Sequence, residues 1–191
     1  YPLGIELVDA DEATELIPQH IITQKQLNEW EQSNILLAEQ WVSQQQFDVA
    51  DVVTFDFVKH LHARMFNKTW RWAGEFRQTN KNLGVDWLLV AVELRKLMDD
   101  VQYQITHAVF DVDELVARFH HRLVAIHPFP NGNGRHGRMM ADIVLLSLGA
   151  DRFSWGGRCQ SDAALVRQRY IRALCAADQS GYERLIQFVR D

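Results

Sequence analysis

His127, Asn131, Asn133, Arg135 and Arg138 fall within twelve residues, HPFPNGNGRHGR, which span 127 to 138 between two apolar helical patterns. An imidazole, two arginines and three glycines in so short a span could hold a phosphate chain beside a proton acceptor. Histidine is the side chain whose ordinary pKa suits proton transfer near neutrality. Pro128 and Pro130 stop the preceding helix, because a residue before proline avoids the α region. Gly132 and Gly134 let the backbone approach a ligand closely. A glycine-rich turn feeding a helix N-terminus offers free N–H groups to an anion. Arg135 and Arg138 lie in that first turn, where cations oppose the helix macrodipole. A phosphate chain gripped by guanidinium groups gives them a reason to be there. The chemistry expected is phosphoryl or nucleotidyl transfer, carried mostly by positioning and electrostatics. A polar interhelix turn with surface arginines is the competing reading of composition alone.

The elements around this stretch must position it. Prolines occur at 2, 18, 128 and 130 alone, which permits long helices from 19 to 127. ITQKQLNEWEQSNILLAEQWVSQQ (22–45) reads as helical with Thr23 as cap, and Asn34 is a point where it breaks in two. VVTFDFVKHLHARMFN (52–67) is a second helix with Thr54 as cap. Helical patterns follow at 87–105, 111–127, 135–149 and 161–179, the last capped by Ser161 or Asp162, and GYERLIQFVR closes the chain. Between 75 and 85 the turn residues Asn80, Lys81 and Asn82 suggest a short β-hairpin. The fold class expected is mainly α, a helical bundle with one small hairpin.

Bulk properties narrow the class further. A chain of 191 residues with 47% hydrophobic and 24% charged residues suits one soluble domain. A net charge of −5 argues against a nucleic-acid or membrane-coating partner. Cys159 and Cys175 are too few for a disulfide framework, so a reducing, cytoplasmic setting is the default. The longest apolar stretch is too short for a membrane span and contains Asp142, and no signal-like segment opens the chain. His60, His62, His120, His121 and His136 lack the spacing and partners of a transition-metal shell. Tyr170 is a candidate contact to a bound base or target, or a packing residue.

HPFPNGNGRHGR resembles the signature of the Fic family, HxFx(D/E)GNGRxxR, matching at His127, Phe129, Gly132, Asn133, Gly134, Arg135 and Arg138. WAGEFR resembles the region before that family's flap, and RQRYIRALCAADQSGYERLIQFV resembles its C-terminal helices. Size and N-terminal helix also resemble small bacterial Fic proteins of the mobile mystery protein B type. The resemblance implies a single Fic-like domain over 1–191, with 1–49 an N-terminal helical extension and 50–191 the core. It implies transfer of AMP from ATP, with Mg²⁺, to a Ser, Thr or Tyr hydroxyl of a target protein. His127 would deprotonate the hydroxyl. Gly132, Asn133 and Gly134 would line the anion nest, Arg135 would hold the β-phosphate region, Arg138 the γ-phosphate, and Phe129 would anchor the loop.

Three features test that resemblance. Asn131 stands where the family has the acid that binds Mg²⁺, and an amide ligates without bringing charge. A different phosphate donor, or a degenerate nucleotide-binding regulatory module, is therefore an alternative to AMP transfer. Secondly, many relatives carry an inhibitory helix with (S/T)xxxE(G/N). In ILLAEQ, 35–40, Glu39 holds the acidic slot while Ile35 and Gln40 depart from the pattern. A Glu39–Arg138 pair would be its sign, and a regulatory partner could relieve it. Thirdly, the flap is expected to dock the target as an added strand, with Thr79, Asn80, Lys81, Asn82 and Leu83 near its tip.

Overall fold

The computed structural model describes residues 14–157 and 162–191. Cys159 and Ser161 lie outside them. Helix α1 spans Gln24–Ser43 and begins with a capping box, Thr23 and Gln26 exchanging side-chain and backbone hydrogen bonds. Asn34 does not break it. The side chain is buried and accepts from Lys68 N at 3.0 Å and Thr69 Oγ1 at 3.2 Å, while Nδ2 donates to Arg64 O at 3.3 Å. A residue suited to interrupting a helix instead satisfies the open C-terminal turn of the next one.

The helix expected at 52–67 with Thr54 as cap is found at Phe55–Phe66, with Val52 in a separate turn before it. A single turn, α2 (Val49–Val52), precedes α3 (Phe55–Phe66), because Thr54 caps the Phe57 N–H and starts a new helix. A 3₁₀ turn at Trp87–Leu89 leads into α4 (Val90–Thr106). Helices α5 (Val112–Ile126) and α6 (Asn133–Ser147) follow, then α7 (Ala163–Ala177), capped by Asp162, and α8 (Glu183–Arg190). α5 and α6 form the central pair, with α4 against α5 and α3 against α6. α1 covers α3, and α7 and α8 pack together at the end of α5. Leu61, Met65, Phe119, Leu123, Phe129, Met140 and Ile143 fill the interior. Burial on this scale supplies the main driving force for a bundle of this kind.

The architecture is the mainly helical one expected, but the hairpin is not formed. Among the described residues β-pairing is confined to one isolated bridge, Leu16 with Trp70. The polar groups that would have made a ladder are engaged elsewhere. Arg77 N donates to Pro128 O at 3.0 Å, and Val85 N donates to Ile126 O at 3.4 Å. Residues 75–86 therefore form an irregular segment seated on the loop after α5.

Candidate active site

The site is the joint between α5 and α6. His127 caps α5 in the left-handed region, φ 54°, ψ 61°, so the chain turns sharply away from the helix axis. Phe129 is wholly buried, stacked on His62 with ring centroids 3.7 Å apart. Asn133 is 4% exposed, and its amide closes the loop. Phe129 N donates to Oδ1 at 2.9 Å, and Nδ2 donates to Phe129 O at 2.8 Å. Each end of that side chain is engaged with Phe129, and the Asn133 backbone N–H lies at the uncapped start of the next helix. That side chain ties the turn that Asn133 is expected to line.

Gly132 sits at φ +79°, where a Cβ would come within 2.5 Å of the Phe66 ring. At Gly134 a Cβ would meet nothing within 4 Å, so this side of the turn is open. No side chain caps α6. The N–H groups of Asn133, Gly134 and Arg135 precede the first intrahelical bond, which runs from His136 N to Gly132 O at 2.9 Å. An open turn with three such donors at a helix N-terminus has the chemistry to receive an anion.

His127 stands beside it, half-buried, with no side-chain hydrogen bond among the described residues. Burial, then the positive charges of Arg77 and Lys81, pull its pKa below the ordinary imidazole value. The ring is therefore neutral at pH 7 and free to accept a proton.

The two arginines are placed differently. Arg135 Nη1 donates to Glu31 Oε2 at 2.7 Å, with the guanidinium 5.1 Å from the Phe66 ring. Glu31 is 4% exposed and accepts a second bond from Trp70 Nε1 at 2.7 Å. Arg138 makes no ion pair among the described residues and lies over the Tyr170 ring at 5.6 Å. It lines a cavity of about 250 Å³ between α1 and α6, together with Arg135, Glu39, Asp142 and Trp155. The expected Glu39–Arg138 pair is thus not formed: Glu39 is exposed, and the carboxylate that α1 sends to the motif is Glu31. Sequence reading missed Glu31 because an acid between helical polar residues carries no mark of burial. Tyr170 donates or accepts at His120 Nε2, 2.8 Å away, which fixes it under Arg138.

His62 is a second missed residue. Gly74 N donates to its Nδ1 at 3.0 Å, so the proton sits on Nε2, which donates to Asn131 O at 3.1 Å. The ring is buried and held neutral, its pKa well below the ordinary value. It binds the loop after Trp72 to the middle of the motif.

The residues at the motif do not fit a protein-held Mg²⁺. Asn131 brings only an amide, and its Oδ1 already accepts from Gly132 N at 2.6 Å. No group of three His, Cys, Asp or Glu suited to a metal occurs among the described residues. Thr79, Asn80, Lys81, Asn82 and Leu83, the residues expected at a flap tip, form an exposed turn without strands. Asn80 Oδ1 accepts from Trp87 N at 2.8 Å and so sets the turn. No described helix is long and apolar enough to cross a membrane.

The central helical pair is thus joined by a turn with uncapped N–H groups and an unbonded imidazole at its rim. Residues 52–145 match the family model of the Fic/DOC family. A Fido domain-containing protein of Dictyostelium discoideum is 41% identical over 59 residues, which cover 31% of this chain and 36% of that relative. The matched part is thus about a third of that curated relative's length. The fold is similar to the N-terminal Fic domain of Bep8, a VirB-translocated effector of Bartonella sp. 1-1C. The TM-score is 0.69 at 18% identity, covering 91% of this chain and 89% of that one. It is also similar to BepC of Bartonella tribocorum, solved with bound AMPPNP. There the TM-score is 0.64 at 19% identity, covering 87% and 86%.

Proposed function

We propose that the chain transfers the adenylyl group of ATP to a hydroxyl side chain of a target protein. The observation that carries this reading is the half-buried, unbonded ring of His127 beside the uncapped start of α6. The hydroxyl oxygen attacks the α-phosphorus, its proton passes to the His127 ring, the bond to the bridging oxygen breaks, and pyrophosphate leaves. The N–H groups of residues 133–135 and the Arg138 guanidinium take up the phosphate charge. A nucleotide analogue bound in a Fic-fold neighbour supports ATP as the donor. The exposed 79–83 tip is proposed to meet the target segment.

No step is routed through a metal. Asn131→Asp would supply the missing carboxylate, and is expected to make transfer rise with Mg²⁺ where the native chain responds weakly. Equal Mg²⁺ titrations of the two proteins would count against this.

Restraint by the N-terminal helix belongs to the same proposal. Glu31 occupies Arg135, and Glu39 stands on the cavity wall with Arg138. Glu31→Gln is expected to raise ATP affinity by about fivefold or more, and Glu39→Gly by less, with self-modification rising in step. If neither affinity nor self-modification changes, α1 is no brake.

The transferred group identifies the reaction. ATP labelled at the α-phosphate should mark protein, while ATP labelled at the γ-phosphate should not. Labelling from the γ-position would replace AMP transfer by kinase chemistry. Binding without labelling from either would leave a nucleotide-sensing module.

A further inference from the structure

Arg77 is 2% exposed, yet no carboxylate pairs with it among the described residues. Its partners are backbone carbonyls. Nε donates to His127 O at 2.6 Å, Nη1 to Thr79 O at 3.0 Å, and Nη2 to Val85 O and, at 3.4 Å, to Ile126 O. Its own N–H donates to Pro128 O at 3.0 Å. Three consecutive carbonyls, 126, 127 and 128, thus accept from one residue fifty positions earlier.

Two physical facts make this arrangement purposeful. A buried cation is costly unless its surroundings repay it, and here the carbonyl end of α5 does so with the negative pole of its macrodipole. His127 has φ 54°, a conformation that costs a residue with a Cβ about 1–2 kcal/mol. The residue bent in that way is the one whose carbonyl and both neighbours' contacts Arg77 holds. The fit leaves no slack: a Cβ on Gly84, φ +102°, would lie 2.7 Å from both Arg77 Nη2 and His127 Cβ.

We propose that Arg77 is the positioning residue of the His127 centre, a single guanidinium that sets the bend of the base and docks the 77–85 segment over it. The segment and the base then move as one unit. Releasing the guanidinium from residues 126–128 frees both. The inference rests on His127 being the functional base, but its structural content is measurable without turnover.

The charged groups bearing on His127 are Arg77 and Lys81, both from the docked segment, while Asp86 bears on Arg77. Arg77→Lys keeps the charge but cannot span four carbonyls from one ammonium. Arg77→Met removes both charge and fork. His127 would be followed by NMR titration of its imidazole in the full chain, assigned by its loss in His127→Gln. Release of the segment would be followed by trypsin cleavage after exposed Lys81.

The native ring should titrate below the ordinary value near 6.5. It should move up in Arg77→Met, which loses a neighbouring positive charge, and less in Arg77→Lys. Cleavage at Lys81 should rise by about tenfold in both variants. A His127 titration and a cleavage rate unchanged in both would overturn the proposal. If Arg77→Met does not fold, Arg77→Lys alone decides through cleavage at Lys81. A chain that transfers nothing, yet shows these shifts, would refute the transferase reading while leaving Arg77 its role.

Discussion

The 127–138 loop and the 75–89 segment meet at His127, yet they are held in opposite ways. The loop is closed by its own residues. Asn133 bonds both backbone groups of Phe129, four positions away, and Gly132 bonds the side chain of its neighbour. The segment makes local bonds of its own, Asn80 with Trp87 and Arg77 with Thr79 and Val85, but it is anchored by Arg77 reaching residues about fifty positions on. Its tip bears Leu83, 69% exposed, and its 3₁₀ turn bears Leu88, 66% exposed. A loop tied by its own buried bonds, with His62 and Arg77 added from outside, is well restrained and suits a rigid turn. A segment whose long-range side-chain bonds converge on one guanidinium depends on that residue for its docking, which suits an adaptable surface.

This contrast can be broken first on the rigid side. Gly132→Ala forces a Cβ into Phe66 at a positive φ, and should cost about 3 kcal/mol or more of stability. Urea unfolding measures it, and a native-like midpoint would show that the loop is not rigid. Asn133→Ala strands the N–H and C=O of buried Phe129 and should cost about 2 kcal/mol or more. Asn133→Asp keeps the acceptor and should cost less.

A smaller effect sharpens the same side through pH. Burial lifts the Asp142 pKa to about 6, against hydrogen bonds from Trp155 and Phe153. The folded pKa lies above the unfolded one, so this group's stabilising contribution is complete below the ordinary carboxylate range. It is lost as pH rises through about 6. Native stability should therefore fall by about 1–2 kcal/mol between pH 4 and pH 7 through this group. Asp142→Asn should remove that fall, and thermal melts across the range would show it. An identical pH slope in the variant would mean that Asp142 titrates normally.

The smallest stability effect belongs to the docked segment. Asn82→Pro at the exposed tip should change stability by no more than about 0.5 kcal/mol. Target modification should nevertheless drop well below ATP binding. Equal losses in both would remove the distinction between nest and flap.

The same contrast explains what could be read in advance. Helix spans followed from apolar spacing and caps, as Thr23, Thr54 and Asp162 show. The turn at 127–138 was legible because prolines, glycines and Asn133 act within a few positions of themselves. The hairpin was misread because Asn80, Lys81, Asn82 and Gly84 mark a turn without telling which partner takes the flanking backbone. Arg77 takes it, and an arginine ending WAGEFR gives no sign of burial. Glu31 was missed for the same reason. Its partners Trp70 and Arg135 come from distant parts of the chain, and only packing brings them together. Asn34 failed as a break because tertiary bonds to residues 64, 68 and 69 outweigh its local preference.

The central claim is that the His127 ring is the base for nucleotidyl transfer from a nucleotide held by the α6 N-terminus. The most direct measurement compares the native chain with His127→Ala for both ATP binding and α-label transfer. Binding should persist in the variant, because the N–H groups and Arg138 are untouched, while transfer should fall by about 10²–10⁴-fold. Transfer that survives the loss of the ring, at native ATP affinity, would contradict the account.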